Sequence, residues 1–190
     1  MTDAPKTVPI VSVVGKGDSG KTTFLEKLIR ELADRGVRVA TVKHHIHDYD
    51  IDVPGKDSYR HARAGAVATM VSSPEKFALI HDVEEEMPLD TIARIAADAG
   101  TDLLITEGYK HAGRNRIEIS RTGRSTTLIC SPAEMTALVT DNAQLAAEVS
   151  AAGVPVFDLD SGFTGAADLI VARFLGSGAA PADARDGSGA

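Results

Sequence analysis

Eight consecutive residues constrain this chain more than any others: Gly15-Lys16-Gly17-Asp18-Ser19-Gly20-Lys21-Thr22. The seven residues before them, 8–14, are an apolar, β-branched run that reads as a buried strand. After them Phe24, Leu25, Leu28, Ile29 and Leu32 recur at helical spacing within residues 22–35, and Gly36 follows as a stop signal. Few architectures admit a strand that passes through a glycine-rich turn directly into a helix. With the next apolar run, residues 37–42, the segment predicts a βαβ unit with a right-handed crossover.

The loop satisfies the pattern G-x-x-x-x-G-K-[ST] in the context the pattern requires, between strand and helix. Gly15, Gly17 and Gly20 let backbone N–H groups turn inward around phosphate oxygens, and Asp18 and Ser19 complete the turn. The helix that starts near Lys21 aims the positive end of its dipole at the same anion. Lys21 supplies a charge to the β- and γ-phosphates, and the Thr22 hydroxyl, next to Thr23, is suited to Mg²⁺. The expectation is a nucleoside triphosphate held between Gly15 and Thr22. A second acid normally helps to hold the metal. Glu107, at the end of the predicted strand 102–106, is better placed than Asp102 at its start.

Further along, residues 57–64, 89–99, 142–151 and 166–175 read as helices, and 67–72 and 77–82 as strands separated by Ser73-Pro74. Short runs at 128–130, 138–140 and 154–159 are further strand candidates. Ile117 and Ile119 alternate with polar neighbours, which predicts a more exposed strand. Apolar residues make up 43% of the chain but aromatics only 4%, so the core must be built from Val, Ile, Leu and Ala. The expected fold is α/β: a doubly wound, mostly parallel sheet of the P-loop NTPase kind, with helices on both faces. It forms one domain over residues 1–175, followed by a disordered Gly/Ala/Asp-rich tail at 176–190.

A formal net charge of −7 argues against nucleic-acid or membrane-surface binding as the main role. The single cysteine, Cys130, excludes an internal disulfide or a Cys-rich metal site, and a reducing, cytoplasmic setting fits. No signal peptide and no stretch of membrane-spanning length is expected.

Three segments occur in order: GKGDSGKTT, then VKHHIHDYDIDVPGKDSYRHARAGA, then DLLITEGYKHAGRNRIEISR. Together they resemble the molybdopterin-guanine dinucleotide biosynthesis protein B (MobB) family, over about residues 8–171. The resemblance implies a GTP-binding adaptor with weak GTPase activity. It would serve the guanylyltransferase that attaches GMP to molybdopterin, and it would be a homodimer whose sheets contribute to the interface. By position, Gly15, Gly20, Lys21, Thr22 and Thr23 match the family's phosphate site and Glu107 its metal-side acid. Lys43, His44, Asp52, Gly55, Lys56, Asp57 and Ser58, with Arg60 and Arg63, match a second polar block. That block is a candidate switch or a holder of a second anionic ligand such as the molybdopterin phosphate.

Other readings stay open at this point. His44, His45 and His47 with Asp48, Asp50 and Asp52 suggest a metal-delivery GTPase, although no cysteine lies nearby. The Lys56, Arg60 and Arg63 block would equally suit the acceptor of a small-molecule kinase. Lys16 and Lys21 partly resemble the paired lysines of dimeric ATPases, against which stands Asp18 where those proteins have glycine; the alternative is an exposed lysine. The N-K-x-D guanine signature is absent. Asp141, after the strand 138–140, is its best substitute, the alternative being a turn or helix-cap role.

Overall fold

The computed structural model describes residues 6–44, 51–109 and 112–176. They fall into two compact units, one drawn from Met1–His44 and Leu89–Ala190, the other from His45–Pro88.

The larger unit is a six-stranded sheet with every neighbouring pair parallel. Its strands are β1 (Ile10–Val14), β2 (Val39–Lys43), β5 (Leu103–Glu107), β6 (Arg116–Ser120), β7 (Met135–Thr140) and β8 (Val156–Phe157), in the spatial order β2-β5-β1-β6-β7-β8. Because side chains alternate along a strand, each strand feeds two cores. From β1, Val11 and Val13 point to one face and pack with Phe24, Leu28 and Leu32 of α1 (Lys21–Asp34) and with Ala166, Ala167 and Ile170 of α5 (Phe163–Ile170). Ile10 joins Ala93 and Ala97 of α3 (Leu89–Asp98) on the opposite face, and Val14 joins Leu145 and Val149 of α4 (Ala143–Ala151). Helices therefore cover both faces, as the apolar strands require. Each fully buried Leu or Phe in these cores contributes roughly 1.5–3 kcal/mol.

The smaller unit contains α2 (Asp57–Arg63) and an antiparallel hairpin of β3 (Ala68–Ser72) and β4 (Phe77–His81). Ser73 closes its turn, its Oγ accepting from the amide of Lys76 at 2.9 Å. The two strands, correctly expected from the sequence, stand outside the six-stranded sheet.

Four sequence expectations need correction. The strand at Ile117 is not exposed: β6 lies between β1 and β7, and Ile117, Glu118, Ile119 and Ser120 are all buried. What read as a polar outer face is a buried carboxylate. Glu118 accepts backbone N–H bonds from Ile129 and Cys130, both at 2.8 Å. Those bonds answer for the second correction, since residues 128–130 form no strand; the amides of Ile129 and Cys130 are satisfied by a side chain in place of a sheet neighbour. Third, the 154–159 run forms a strand only at Val156–Phe157. Beside Glu118, burial and then the carboxylate's charge push the Cys130 thiol up to about 11, so it stays protonated and unreactive at neutral pH. The last predicted helix begins earlier than expected, at Phe163, and widens into a π-type turn over Val171–Leu175. Residues 177–190 lie outside the described residues.

Candidate functional site

The glycine-rich turn leaves the C-terminal end of β1 and opens directly into α1. Two of its glycines are dictated by space and backbone angle. Gly15 has φ 155°, and a Cβ there would lie 2.5 Å from the carbonyl oxygen of Ile119 on β6. Gly20, with φ 89°, takes the position before the first turn of α1, leaving the first amides of that helix without a side-chain cap. Such amides, with the helix dipole behind them, are suited to phosphate oxygens.

Around this turn the polar side chains are held from several elements. Lys21 Nζ donates to the carbonyl of Lys16 at 2.7 Å, across the loop. Thr22 Oγ1 lies 3.5 Å from Glu107 Oε1, so the loop hydroxyl and the acid at the end of β5 meet. With Thr41 and Lys43 of β2, they line a groove of about 310 Å³ whose walls include Leu25 and Ile29. Asp102 stands at the far end of β5, where both its oxygens engage Arg38. Ser19 is fully buried, and its Oγ has no hydrogen-bond partner among the described residues. Asp18 takes a left-handed backbone, φ 57°, and is exposed, as are Gly17 and Thr23.

Lys16 is not a freely solvated lysine. Its Nζ donates to Thr127 Oγ1 at 2.7 Å, tying the loop to the segment after β6. Asp141 follows β7, but it is not the cap of α4. That role belongs to Asn142, whose Oδ1 accepts from the amides of Gln144 and Leu145. Asp141 Oδ1 instead accepts from the Thr122 amide at 2.6 Å.

The second polar block is divided. Lys43 ends β2 beside the groove, and His44 follows it, its amide donating to the carbonyl of Glu107 and its ring 4.6 Å from that of Tyr109. The remaining candidates belong to the smaller unit, where they order one another. Asp52 Oδ1 accepts from Ser58 Oγ and from the Val53 amide, fixing the turn before α2. Lys56 precedes the first residue of α2, Asp57 and Arg60 form an exposed pair at 3.4 Å, and the Arg63 guanidinium lies 5.1 Å from the Tyr59 ring. Of the imagined metal cluster, His45, His47, Asp48 and Asp50 lie outside the described residues, and no group of three potential ligands converges among the described ones.

Arg121 enters the sequence reading only as the last residue of the third segment, with no role, and Arg124 not at all. They follow β6 in a turn, and nothing in their spacing points to the loop of residues 15–22. Yet together with residues 18–23 they line an open, polar recess of about 530 Å³. The available signal was topological: ligands of such sheets gather at strand C-terminal ends, and Arg121 directly follows one.

Fold and loop together make this a P-loop α/β domain. Residues 10–141 match the family model described as molybdopterin guanine dinucleotide synthesis protein B, MobB, and the chain belongs to that family. It is 40% identical over 118 residues to the molybdopterin-guanine dinucleotide biosynthesis adapter protein of Escherichia coli, covering 61% of this chain and 67% of the relative. The counterpart from Haemophilus influenzae is 36% identical, with 60% and 64% covered, so these matches span about two thirds of the relatives' length. A crystal structure of Bacillus subtilis MobB superposes with a TM-score of 0.67 at 27% identity, covering 87% of this chain and 98% of that one. A second, of molybdopterin-guanine biosynthesis protein B, gives 0.59 at 30% identity, with 86% and 98% covered. No helix among the described residues is long and apolar enough to cross a membrane.

Proposed function

We propose that this chain is a GTP-binding adaptor in the biosynthesis of molybdopterin guanine dinucleotide, assisting the guanylyltransferase in the cytoplasm and hydrolysing GTP slowly. The observation that carries the nucleotide reading is the meeting of Thr22 and Glu107 beside the Lys21 ammonium at the N-terminus of α1. Hard oxygen donors from a hydroxyl and a carboxylate suit Mg²⁺, and bound there it would neutralise charge on the β- and γ-phosphates. Lys21 would exchange the Lys16 carbonyl for a phosphate oxygen, while the loop amides hold the chain in place. Phosphoryl transfer rests on positioned charge and a positioned water. The loop's own carboxylate, Asp18, is exposed, in keeping with slow hydrolysis.

The adaptor role is supported by family membership and by the names of the two relatives. Guanine preference rests on the same ground, with Asp141 as the residue nearest in topology to a base contact. Molybdopterin would be held through its phosphate by Lys56, Arg60 and Arg63. Self-association into a homodimer is supported by the apolar hairpin face that Met70, Phe77 and Leu79 leave open.

Calorimetry with GTP and ATP, with and without the guanylyltransferase, tests the reading. The wild-type chain should prefer GTP. Lys21→Ala should lose about 100-fold or more in affinity, the scale of a charge-assisted contact of roughly 3 kcal/mol. Unchanged affinity in that variant would remove the phosphate site from consideration.

A further inference from the structure

The turn after β6 is built to hold two arginines against the phosphate loop. It is tied down at both ends: the Thr122 amide donates to Asp141 Oδ1 at 2.6 Å, and Thr127 Oγ1 accepts from Lys16 Nζ at 2.7 Å. Between those ties the Arg124 amide donates to the carbonyl of Arg121 at 3.1 Å, Gly123 takes φ 81°, and Ser125 Oγ donates to the carbonyl of Thr127. Arg121 and Arg124 both line the recess formed with residues 18–23. The Arg121 guanidinium lies over Gly20, its Nη2 being 3.6 Å from where a Cβ on that glycine would stand.

Four arginines of the larger unit are committed to carboxylates. Arg35 binds Glu31 and Asp168, Arg38 binds Asp102, Arg114 binds Asp90, and Arg116 binds Glu134. Arg121 and Arg124 make no ion pair among the described residues and face the recess shared with the loop. In a chain of net charge −7, two guanidiniums that no carboxylate takes up are a local reserve of positive charge.

Strand order says which part of the nucleotide they meet. β1 carries the loop, β5 flanks it on one side and β6 on the other. Glu107 and Thr22 mark the β5 side, where their oxygens would hold a metal that neutralises charge at the γ-phosphate end of the nucleotide. The rest of the phosphate chain must then run toward β6 and β7, where Arg121, Arg124 and Asp141 stand. We infer that Arg121 and Arg124 form a clamp on the α-phosphate end of a bound nucleoside di- or triphosphate, opposite the metal. The clamp rests on the nucleotide reading above and adds to it a second, metal-independent source of affinity.

The test is calorimetry of wild type, Arg121→Ala, Arg124→Ala and the double variant with GTP and with GDP, each protein first checked by thermal melting. Both guanidiniums lie at the surface, so melting should be unchanged. Because the α-phosphate is common to both nucleotides, Arg121→Ala should weaken GTP and GDP by the same factor, about 10- to 100-fold, and the double variant further. Arg121→Lys should recover only part, having the charge without the forked donors. A loss confined to GTP would place the arginine on the γ-phosphate and overturn the inference. So would unchanged affinities in a chain that still depends on Lys21. A wild-type chain that binds neither nucleotide overturns the nucleotide reading itself, and the clamp with it, so the two failures are distinguishable.

Discussion

The two units of this chain use the same sequence vocabulary to opposite ends. In the larger, β1 reads Ile-Val-Ser-Val-Val and every one of its residues is buried. In the smaller, β3 and β4 read Ala-Thr-Met-Val-Ser and Phe-Ala-Leu-Ile-His, just as apolar, yet Met70 is 65% exposed, Phe77 65% and Leu79 53%. The register places Met70 opposite Leu79 and Ser72 opposite Phe77, so these large side chains share one face, while buried Thr69 looks to the other. An apolar run tells us that a strand wants cover. Whether the same chain supplies the cover is decided by what packs on it. A lone two-stranded hairpin is marginal in water, and an open apolar face of this kind is how chains meet one another.

Perturbing the closed unit from inside should have the greater consequence. Glu118→Ala leaves the part-buried amide of Ile129 and the buried amide of Cys130 without an acceptor, and should cost about 3 kcal/mol in urea unfolding. Glu118→Gln, which keeps one carbonyl acceptor, should cost less. If both variants unfold like wild type, the buried carboxylate is not what holds the segment after β6.

The open unit should respond in association and not in folding. Phe77→Ser together with Leu79→Ser should weaken self-association by about 10- to 100-fold in sedimentation equilibrium, as the loss of central apolar contacts does. GTP affinity should stay as it was. An unchanged oligomeric state would mean that the open face serves something else.

A smaller effect is expected at the rim of the larger unit. Hydrogen bonds from Arg38 hold the Asp102 carboxyl below the usual carboxylate range. A depressed folded pKa gives stability that is full above the unfolded value, about 3.9, and fades as pH falls through the folded one. Asp102→Asn should therefore lower the melting temperature slightly at pH 7, with the gap from wild type closing toward pH 2. Solvent screening keeps this modest, because the pair is partly exposed. A gap that widens in acid would contradict the assignment.

Much of the candidate site is legible in the sequence because its elements are local. Gly15, Gly20, Lys21 and Thr22 sit within one turn and the start of one helix, and the phosphate-loop pattern describes that turn. The place of Glu107 beside Thr22 follows from a slightly longer argument, its position at the end of a strand. The burial of Glu118 and the place of the two arginines beside the loop do not show in the sequence, for a common reason. Alternation of apolar and polar residues marks Glu118 as outward-facing, and only the amides arriving from 129 and 130 turn it into an interior acceptor. Arg121 reaches the loop across a gap of about a hundred positions, a proximity that exists only once β6 lies next to β1.

The strand, loop and helix from Ile10 to Asp34 were therefore determined by the sequence itself, because hydrogen bonds within a helix, backbone freedom at glycine and side-chain periodicity act between near neighbours. Tertiary structure alone decided the strand order β2-β5-β1-β6-β7-β8, and with it which charges flank the phosphate loop. It also decided that one apolar hairpin stays outside the sheet. Those choices depend on which surfaces cover which across the whole chain, and no short window of residues contains that information.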